Sequence, residues 1–405
     1  MTLTINKTKL QEKITAIFVF ILLVDATDYL FGLKMPLFLL LVLICAITYS
    51  TVLKSFIAKI ILIYGCLVIT SCISFFSSFD IDPDMAMFLY KTFLMTFLLL
   101  WIDKLHFFEK ITCPAVLISC IVIFIYITML AYPELEAAIF SAIYNSNEGI
   151  PINMSRRSFV GIELTAVYYK SSILFFLPMA VYYYKMLTET FKLKNLIIFL
   201  LLFSPLIIGG TRANILSAVA VIGILSLIRL SRTQLGKQVV VLLTIAGIIG
   251  CYFVLSALLT DKGEPSLTAK TSLLHSWCDL IVQHPMILVW GQGAGATFFT
   301  EVRGLTSLTE WTYLELIRWF GIPISLLIIG LYLYPFYLMY RKRKSLPYQQ
   351  PLSIAFLFYL LIAGTNPLLL SSTGMLALLT MYSYALNPNY EVPKHETNRY
   401  FAGYI

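Results

Sequence analysis

The chain has 405 residues, of which 59% are hydrophobic and only 12% are charged, and its mean hydropathy is +0.86. This composition excludes an ordinary soluble protein, because most of the sequence falls into apolar runs long enough to cross a bilayer. The net charge of +8 does not indicate a nucleic-acid-binding protein, since the basic residues are spread over many loops instead of forming one patch. We therefore expect a single transmembrane domain over residues 1–405.

The apolar runs predict an all-α polytopic membrane protein with about twelve transmembrane helices. In the first half they lie near residues 14–33, 35–53, 57–78, 84–102, 111–133 and 168–186. In the second half they lie near residues 194–210, 213–230, 238–260, 311–339, 351–367 and 369–386. The connections at 209–213 and 364–371 are so short that a re-entrant pair stays open as an alternative at each.

The distribution of Lys and Arg predicts the orientation in the membrane. Most of the 29 basic residues lie in alternate loops, and that set includes both termini. The other set has longer loops and fewer basic residues, namely Lys34, Arg156, Arg157, Lys170, Arg212, Lys262, Lys270 and Arg303. Because cytoplasmic loops are enriched in Lys and Arg, both termini, including the tail at 387–405, are expected in the cytoplasm. Two long segments, 134–167 and 261–310, are then expected on the outer face.

The second outer segment carries apolar residues at helical spacing over 271–300, which predicts a short amphipathic helix at the outer membrane interface. Its glycine-rich stretch at 290–295 predicts a tight turn and not a nucleotide-binding loop, since no strand precedes it. No cytoplasmic loop is long enough for a domain, which excludes pumps and synthases that need a cytoplasmic nucleotide-binding fold. The two halves also lack the internal similarity that many transporters show.

Arg212 opens the span at 213–230, on the face where a basic residue is unusual. A helix N-terminus offers unpaired N–H groups, and arginine binds phosphate through two parallel donors. This position therefore predicts an anionic ligand held at the outer surface. The alternative, that Arg212 only reaches lipid headgroups, stays open.

Three charged residues surround the start of the span at 311–339. Glu315 and Arg318 are three residues apart and are expected to pair on one helix face, either for structure or for substrate binding. Glu310 lies just outside the apolar run with no obvious cation near it, so it is a candidate general base or hydroxyl-orienting group. The alternative is an ordinary surface carboxylate. His275 and His284 lack metal-ligand spacing, and no metal site is predicted.

Several short motifs follow one another in a characteristic order. They are Lys270-Thr-Ser, His284-Pro, Gly-Gln-Gly-Ala-Gly at 291–295, Glu-Trp-Thr-Tyr-Leu-Glu-Leu at 310–316, and Gly321-Ile. This order resembles the Wzy-type O-antigen polymerases of the O-antigen polymerase and ligase superfamily. Its members share about twelve spans, a large periplasmic loop late in the chain and a helix-opening arginine. The predicted order of spans and loops resembles this family over most of the chain. The sequence motifs match only in residues 209–213 and 270–322.

One position separates the polymerases from the related ligases. Ligases carry a His-Asn pair eleven residues before a Gly-Ile, and the residues at that spacing here are Glu310 and Trp311. A second ligase arginine is matched at best by Lys270, which binds phosphate as a point charge without a planar fork. Both departures favour a polymerase over a ligase.

The resemblance implies a glycosyltransferase of lipopolysaccharide biosynthesis, active at the periplasmic face of the bacterial inner membrane without metal or nucleotide. It would transfer a growing polysaccharide from undecaprenyl diphosphate onto a lipid-linked repeat unit, with a chain-length regulator as a family-level partner. An O-antigen ligase and a lipid-linked oligosaccharide flippase are the alternatives. Glu310 would be the catalytic residue, and the residues expected to bind diphosphate or glycan are Arg212, Lys270, Arg303, Arg156, Arg157, Glu315 and Arg318.

Overall fold

The computed structural model describes residues 7–76, 79–144, 149–159, 162–231, 238, 265–342 and 346–390. The predicted span at 238–260 therefore lies outside the described residues, apart from its first position. The described chain is mostly helical, with two short antiparallel hairpins.

Helices α1 to α9 are Lys7–Val24, Lys34–Thr48, Lys54–Phe76, Pro83–Leu94, Phe107–Ala131, Pro133–Tyr144, Phe176–Thr188, Leu193–Ile208 and Arg212–Leu230. Helices α10 to α14 are Pro265–Gln283, Ile287–Trp290, Thr312–Arg341, Gln349–Ala363 and Ser372–Leu386. Short 3-10 helices cover Met95–Lys104, Ser172–Phe175 and Pro388–Tyr390. Strands β1 (Ile152–Phe159) and β2 (Ile162–Tyr169) form one hairpin, and strands β3 (Phe298–Thr300) and β4 (Gly304–Thr306) form the other.

Five helices of the described chain are long and apolar enough to cross a membrane. They are Lys54–Ile73, Pro83–Lys104, Phe107–Ala131, Arg212–Leu230 and Thr312–Arg341. Four further apolar helices are shorter, namely Lys34–Thr48, Ser172–Thr188, Leu193–Ile208 and Gln349–Ala363. These helices support a membrane protein, while the number of twelve spans stays a prediction.

Two boundaries of the predicted helices are wrong. The helix expected at 14–33 ends at Val24, because the buried carboxylate of Asp25 accepts hydrogen bonds from the N–H groups of residues 29–31. The helix expected at 168–186 begins only after β2, whose Tyr169 pairs with Ile152 of β1. The hairpin forms there because β2 is rich in β-branched and aromatic residues, which favour strands.

Contacts between loops divide the described bundle into two ends. At one end, Tyr49 bonds to Gln11, Ser383 to the carbonyl of Leu105, and Tyr348 to Glu189. At the other, Thr27 bonds to the carbonyl of Gly149, Lys34 to Ser372, and Asp82 to Ser307. The contacts at the first end join the loops that are rich in Lys and Arg, and those at the second end join the loops that have few basic residues. We call the first the basic end and the second, which carries the hairpins, the site end.

Helix α12 is broken at Gly321, whose φ of +68° interrupts the helical backbone. The break lies against the glycine-rich turn that follows α11, and a Cβ atom on Gly321 would lie 2.3 Å from the carbonyl oxygen of Val289. A Cβ atom on Gly291 would equally lie 2.3 Å from the carbonyl oxygen of Trp319. The predicted tight turn at 290–295 is confirmed, with positive φ angles at Gly291, Gly293 and Gly295.

The turn also compensates for the hydrogen bonds that the broken helix loses. The backbone N–H of Gln292 donates to the carbonyl of Arg318 at 2.6 Å, and that of Gly293 donates to the carbonyl of Trp319 at 3.1 Å. Irregular backbone inside a membrane protein persists only where such groups are satisfied internally. The break and the turn are therefore one structural unit.

We expect Gly321→Ala to destabilise the protein severely, because the new methyl group meets the backbone at 2.3 Å and the φ angle is unfavourable for alanine. Gly330→Ala is the matched control, since a Cβ atom at this position of the same helix has no neighbour within 4 Å. Thermal unfolding in detergent should show a loss for Gly321→Ala alone. Equal melting temperatures would contradict the close contact.

Candidate functional site

The segment from α10 to β4 is attached to the bundle at the site end by the loop before α4. The backbone N–H of Asp82 donates to the carbonyl of Gly295, and that of Thr297 donates to the carbonyl of Asp80. The Asp82 side chain also caps α4 by accepting from the N–H groups of Asp84 and Met85. This loop therefore holds the second hairpin in place.

Asp82 takes a third side-chain hydrogen bond, from Ser307 Oγ at 2.7 Å. This bond, together with the two backbone N–H groups, lowers the pKa of the Asp82 carboxyl, while partial burial opposes the shift. The carboxylate that caps the helix is thus favoured over the protonated acid. Its contribution to stability is present above the ordinary carboxyl pKa and is lost as the pH falls below it.

Arg318 and Glu315 form the ion pair that their spacing predicted, with Nη2 2.5 Å from Oε2 and both side chains fully buried. Arg318 uses all five of its N–H donors. Nε and one Nη2 donor bind Glu315 Oε2, the other Nη2 donor binds the carbonyl of Ser307, and Nη1 binds Gln292 Oε1 and the carbonyl of Ala296. Its guanidinium also lies over the Phe298 ring at 4.6 Å. We call this set the Arg318 cluster.

Glu315 completes the cluster. Its Oε2 atom accepts from Arg318, and its Oε1 atom accepts from Thr309 Oγ1 at 2.5 Å. With no exposed surface on either member and no donor left on Arg318, this geometry favours the structural alternative for the pair over the substrate-binding one. The cluster joins the start of α12 to the glycine-rich turn and to the end of the second hairpin.

Glu310 lies beside two cations, contrary to the expectation that it has no cation nearby. Arg303 Nη2 is 2.7 Å from Glu310 Oε1, and Lys270 Nζ is 3.4 Å from Glu310 Oε2. The side chains of all three are partly exposed, at 42% for Arg303, 34% for Glu310 and 29% for Lys270. We call these three residues the Glu310 cluster. The sequence alone could not show this cluster, because Arg303 and Lys270 lie 7 and 40 positions before Glu310.

Three separate elements bring the Glu310 cluster together. Lys270 comes from α10, which is tied to the start of α12 by a hydrogen bond from Trp311 Nε1 to the Lys270 carbonyl. Arg303 comes from the turn between β3 and β4, where its N–H donates to Thr300 Oγ1 and Gly304 has a φ of +66°. Ser272 Oγ, donating to Glu301 Oε2 at 3.0 Å, joins α10 to the same turn.

The Glu310 cluster carries two positive charges and one negative charge at an accessible surface. Each carboxylate oxygen binds one cation and keeps a second lone pair for a proton or a hydrogen-bond donor. Exposed ion pairs of this kind are weak, so an anion with several oxygens can compete for the two cations. The arrangement therefore combines an anion-binding pair with a carboxylate able to accept a proton.

Arg212 is the first residue of α9, as predicted, and its side chain is half-buried. Gly210 has a φ of +60°, which allows the short turn from α8, and a Cβ atom on Gly209 would lie 3.3 Å from the Tyr168 ring. Thr211, in the N-cap position, makes no side-chain capping bond. Arg212 thus lies at the site end, next to the first hairpin.

Arg156 lies on β1 with 71% of its side chain exposed, and its Nη2 atom is 3.6 Å from Glu136 Oε1 of α6. Thr165 of β2 also donates to Glu136, at 2.7 Å. These contacts hold the first hairpin against α6. The side chain of Arg157 lies outside the described part of the chain.

Sequence reasoning missed Asp82, Ser307 and Gln292 as residues that position the site. Asp82 carried a recognisable signal, because Asp-Pro before an apolar run is typical of a helix N-terminus. The partners of Gln292 and Ser307 are distant in sequence and gave no such signal. Residues 265–283 form the helix expected in this segment, although it begins and ends earlier than residues 271–300.

A scan against protein-family models matches none of them, and searches of the curated proteins and of the solved structures find no similar protein.

We expect Arg318→Lys to destabilise the protein by about 3 kcal/mol or more, because lysine supplies three donors in place of five and leaves part of this buried set of acceptors without a partner. Arg341→Lys, at the exposed end of the same helix, is the control and should change stability by less than about 0.5 kcal/mol. Chemical denaturation in detergent measures both. Similar values for the two variants would show that the cluster does not hold the segment.

Proposed function

We propose that this chain is an O-antigen polymerase of the Wzy type, which lengthens an undecaprenyl-diphosphate-linked polysaccharide at the periplasmic face of the inner membrane. The observation that carries the proposal is the Glu310 cluster, which places a carboxylate between two cations at an accessible surface of a bundle of apolar helices. The motif order from Lys270 to Gly321 and the helix-opening Arg212 support the same assignment.

The reaction requires both kinds of group. The acceptor hydroxyl of the incoming repeat unit attacks the anomeric carbon of the donor sugar, forming the new glycosidic bond as the bond to the diphosphate oxygen breaks. A carboxylate takes the hydroxyl proton, and cations stabilise the charge that develops on the leaving diphosphate. Glu310 fits the first role, and Lys270, Arg303 and Arg212 fit the second.

The ion pairs of the Glu310 cluster suggest how the site responds to its donor substrate. A bound diphosphate offers several anionic oxygens to Lys270 and Arg303, which in the structure bind the two Glu310 oxygens. Transfer of the cations to the diphosphate would leave the Glu310 carboxylate available to the acceptor hydroxyl. Arg156, on the first hairpin at the same end, would bind either the diphosphate or the acidic parts of the acceptor glycan.

The buried charges favour an enzyme over a flippase. In the described part of the chain, the charged side chains with no more than a few per cent of their surface exposed are Asp25, Glu315 and Arg318. Asp25 is bonded to three backbone N–H groups, and the other two belong to the Arg318 cluster. These charges are used within the fold, whereas a flippase would need them to line a path for its substrate.

We expect Glu310→Gln to lower polymerisation by about 10² to 10⁴, the contribution of a positioned general base, with protein levels unchanged. Asp279→Asn is the control, because Asp279 is an exposed carboxylate of α10 that forms no ion pair with Lys270 or Arg303 in the described chain. Both variants are introduced into a host lacking the chain, and the length of O-chains is followed on lipopolysaccharide gels. O-chains of normal length in the Glu310→Gln variant would show that Glu310 is an ordinary surface carboxylate without a catalytic role.

The same assay separates the alternative functions. Loss of long chains with retention of single-unit lipopolysaccharide in the deletion strain indicates a polymerase, and loss of all O-antigen indicates a ligase. Purified protein in liposomes should lengthen the glycan of added lipid-linked repeat units. Unchanged glycan length with correctly folded protein would overturn the proposal.

We expect Arg212→Ala to abolish polymerisation, with a loss of about 10² or more, because an electrostatic contact to the leaving group is removed. Arg212→Lys should retain part of the activity, since it keeps the charge but loses the planar fork. Arg229→Ala, at the opposite end of α9, is the control for an effect on the helix itself. Normal ladders with Arg212→Ala would remove the phosphate-binding role.

A further inference from the structure

A groove with a cavity volume of about 240 Å³ lies between α3 and α12, toward the basic end and away from the Glu310 cluster. Its floor is formed by the buried side chains of Phe93, Leu67 and Tyr382. Its rim carries Leu62, Leu326 and Leu327, which are 50%, 62% and 47% exposed. Apart from Lys59, the groove is thus lined mainly by apolar side chains, and it is open on the outside of the bundle.

One charged side chain, Lys59, lies in the lining. Its Nζ atom lies over two aromatic rings, 4.1 Å from the centre of Tyr334 and 4.5 Å from that of Phe56. Within the described part of the chain, no carboxylate oxygen comes within 4.0 Å of this ammonium group. Lys59 therefore differs from Lys270 and Arg303, whose charges are each paired with Glu310.

A second cation continues the same face of α12 toward the basic end. Arg341 lies seven residues after Tyr334, which is two helical turns or about 10 Å along the axis. Its guanidinium is 5.8 Å from the centre of the Tyr337 ring. Aromatic and basic side chains in this order, following an apolar stretch, are typical of the level at which lipid headgroups begin.

We propose that this groove binds one acyl chain of an anionic glycerophospholipid, with the lipid phosphate bound to Lys59. The apolar floor and open rim fit a hydrocarbon chain, and the ammonium group without a carboxylate partner supplies the complementary charge. The basic end is the end predicted to face the cytoplasm, where the leaflet is rich in anionic lipids. The site lies at the opposite end from Arg212 and Glu310, so it is independent of the proposed polymerase activity.

The full-length protein is reconstituted in nanodiscs of equal parts phosphatidylglycerol and phosphatidylcholine, and retained lipid is measured by native mass spectrometry. The wild type should retain one phosphatidylglycerol. Lys59→Met, which keeps an apolar side chain of similar length, should bind phosphatidylglycerol about fivefold more weakly. This loss corresponds to the contribution of about 1 kcal/mol that one basic residue makes near an anionic membrane surface. Lys54→Met, an exposed lysine of the same helix outside the groove, should bind normally.

Gly330→Phe tests the groove itself. Gly330 lines it, and a Cβ atom there has no neighbour within 4 Å, so the ring can fill the space that the acyl chain would occupy. Gly223→Phe, a helical glycine of α9 with equal free space, is the control. The first variant should lose retained lipid and the second should keep it.

A measurement on the wild type does not depend on how these variants fold. Phosphatidylglycerol carrying a photoactivatable group in its acyl chain should crosslink to peptides of α3 and α12 that line the groove. Crosslinks spread evenly over the exposed helices, equal retention of phosphatidylcholine, or retention of a polyprenyl phosphate in place of the phospholipid would each overturn the proposal.

Discussion

The structure of the site end depends on the buried charge of Arg318. A guanidinium without exposed surface is tolerated only if every donor has a partner, because an unpaired buried charge costs several kcal/mol. Its partners come from α12 itself, from the glycine-rich turn and from the end of the second hairpin. If any one of these elements moved away, it would leave donors or acceptors unpaired. The cluster therefore fixes the 291–310 segment to α12, and with it the position of Glu310, which lies two residues before this helix begins.

The glycine contacts make this arrangement possible. Gly291 and Gly321 each lie so close to backbone of the other element that a side chain at either position would separate them. Their close approach brings the N–H groups of the turn to carbonyls that the broken helix can no longer satisfy internally. The break at Gly321 also ends the short helical part that carries Glu315 and Arg318. The direction of this short part is therefore set by its contacts with residues 291–310 and not by the remainder of α12. Hydrogen bonding, close packing and the buried charge thus support one another.

Sequence reasoning succeeded where the relevant interactions are local. The spacing of Glu315 and Arg318 predicted their pairing, the glycines predicted a tight turn, and the residues around Arg212 predicted a helix start. It failed where the partners are distant along the chain. Apolar residues alone did not show that the first helix ends at Val24, because the hydrogen bonds that stabilise the following loop are made by the single carboxylate of Asp25. The two cations beside Glu310 come from a helix and a hairpin turn, and only the fold brings them together.

The pairing of Glu310 changes the meaning of the outer basic residues. A cation on the predicted outer face first suggested an anionic ligand because it was unusual there, but Lys270 and Arg303 already have a carboxylate partner. A ligand that carries one negative charge gains little by replacing that carboxylate, since it exchanges one weak pair for another. A diphosphate gains more, because it presents several charged oxygens to both cations at once. In the proposed reaction, Glu310 would therefore compete with the ligand for the two cations and so favour multiply charged donors. It would become a better proton acceptor when such a donor is bound, because the cations that stabilise its negative charge would then bind the diphosphate.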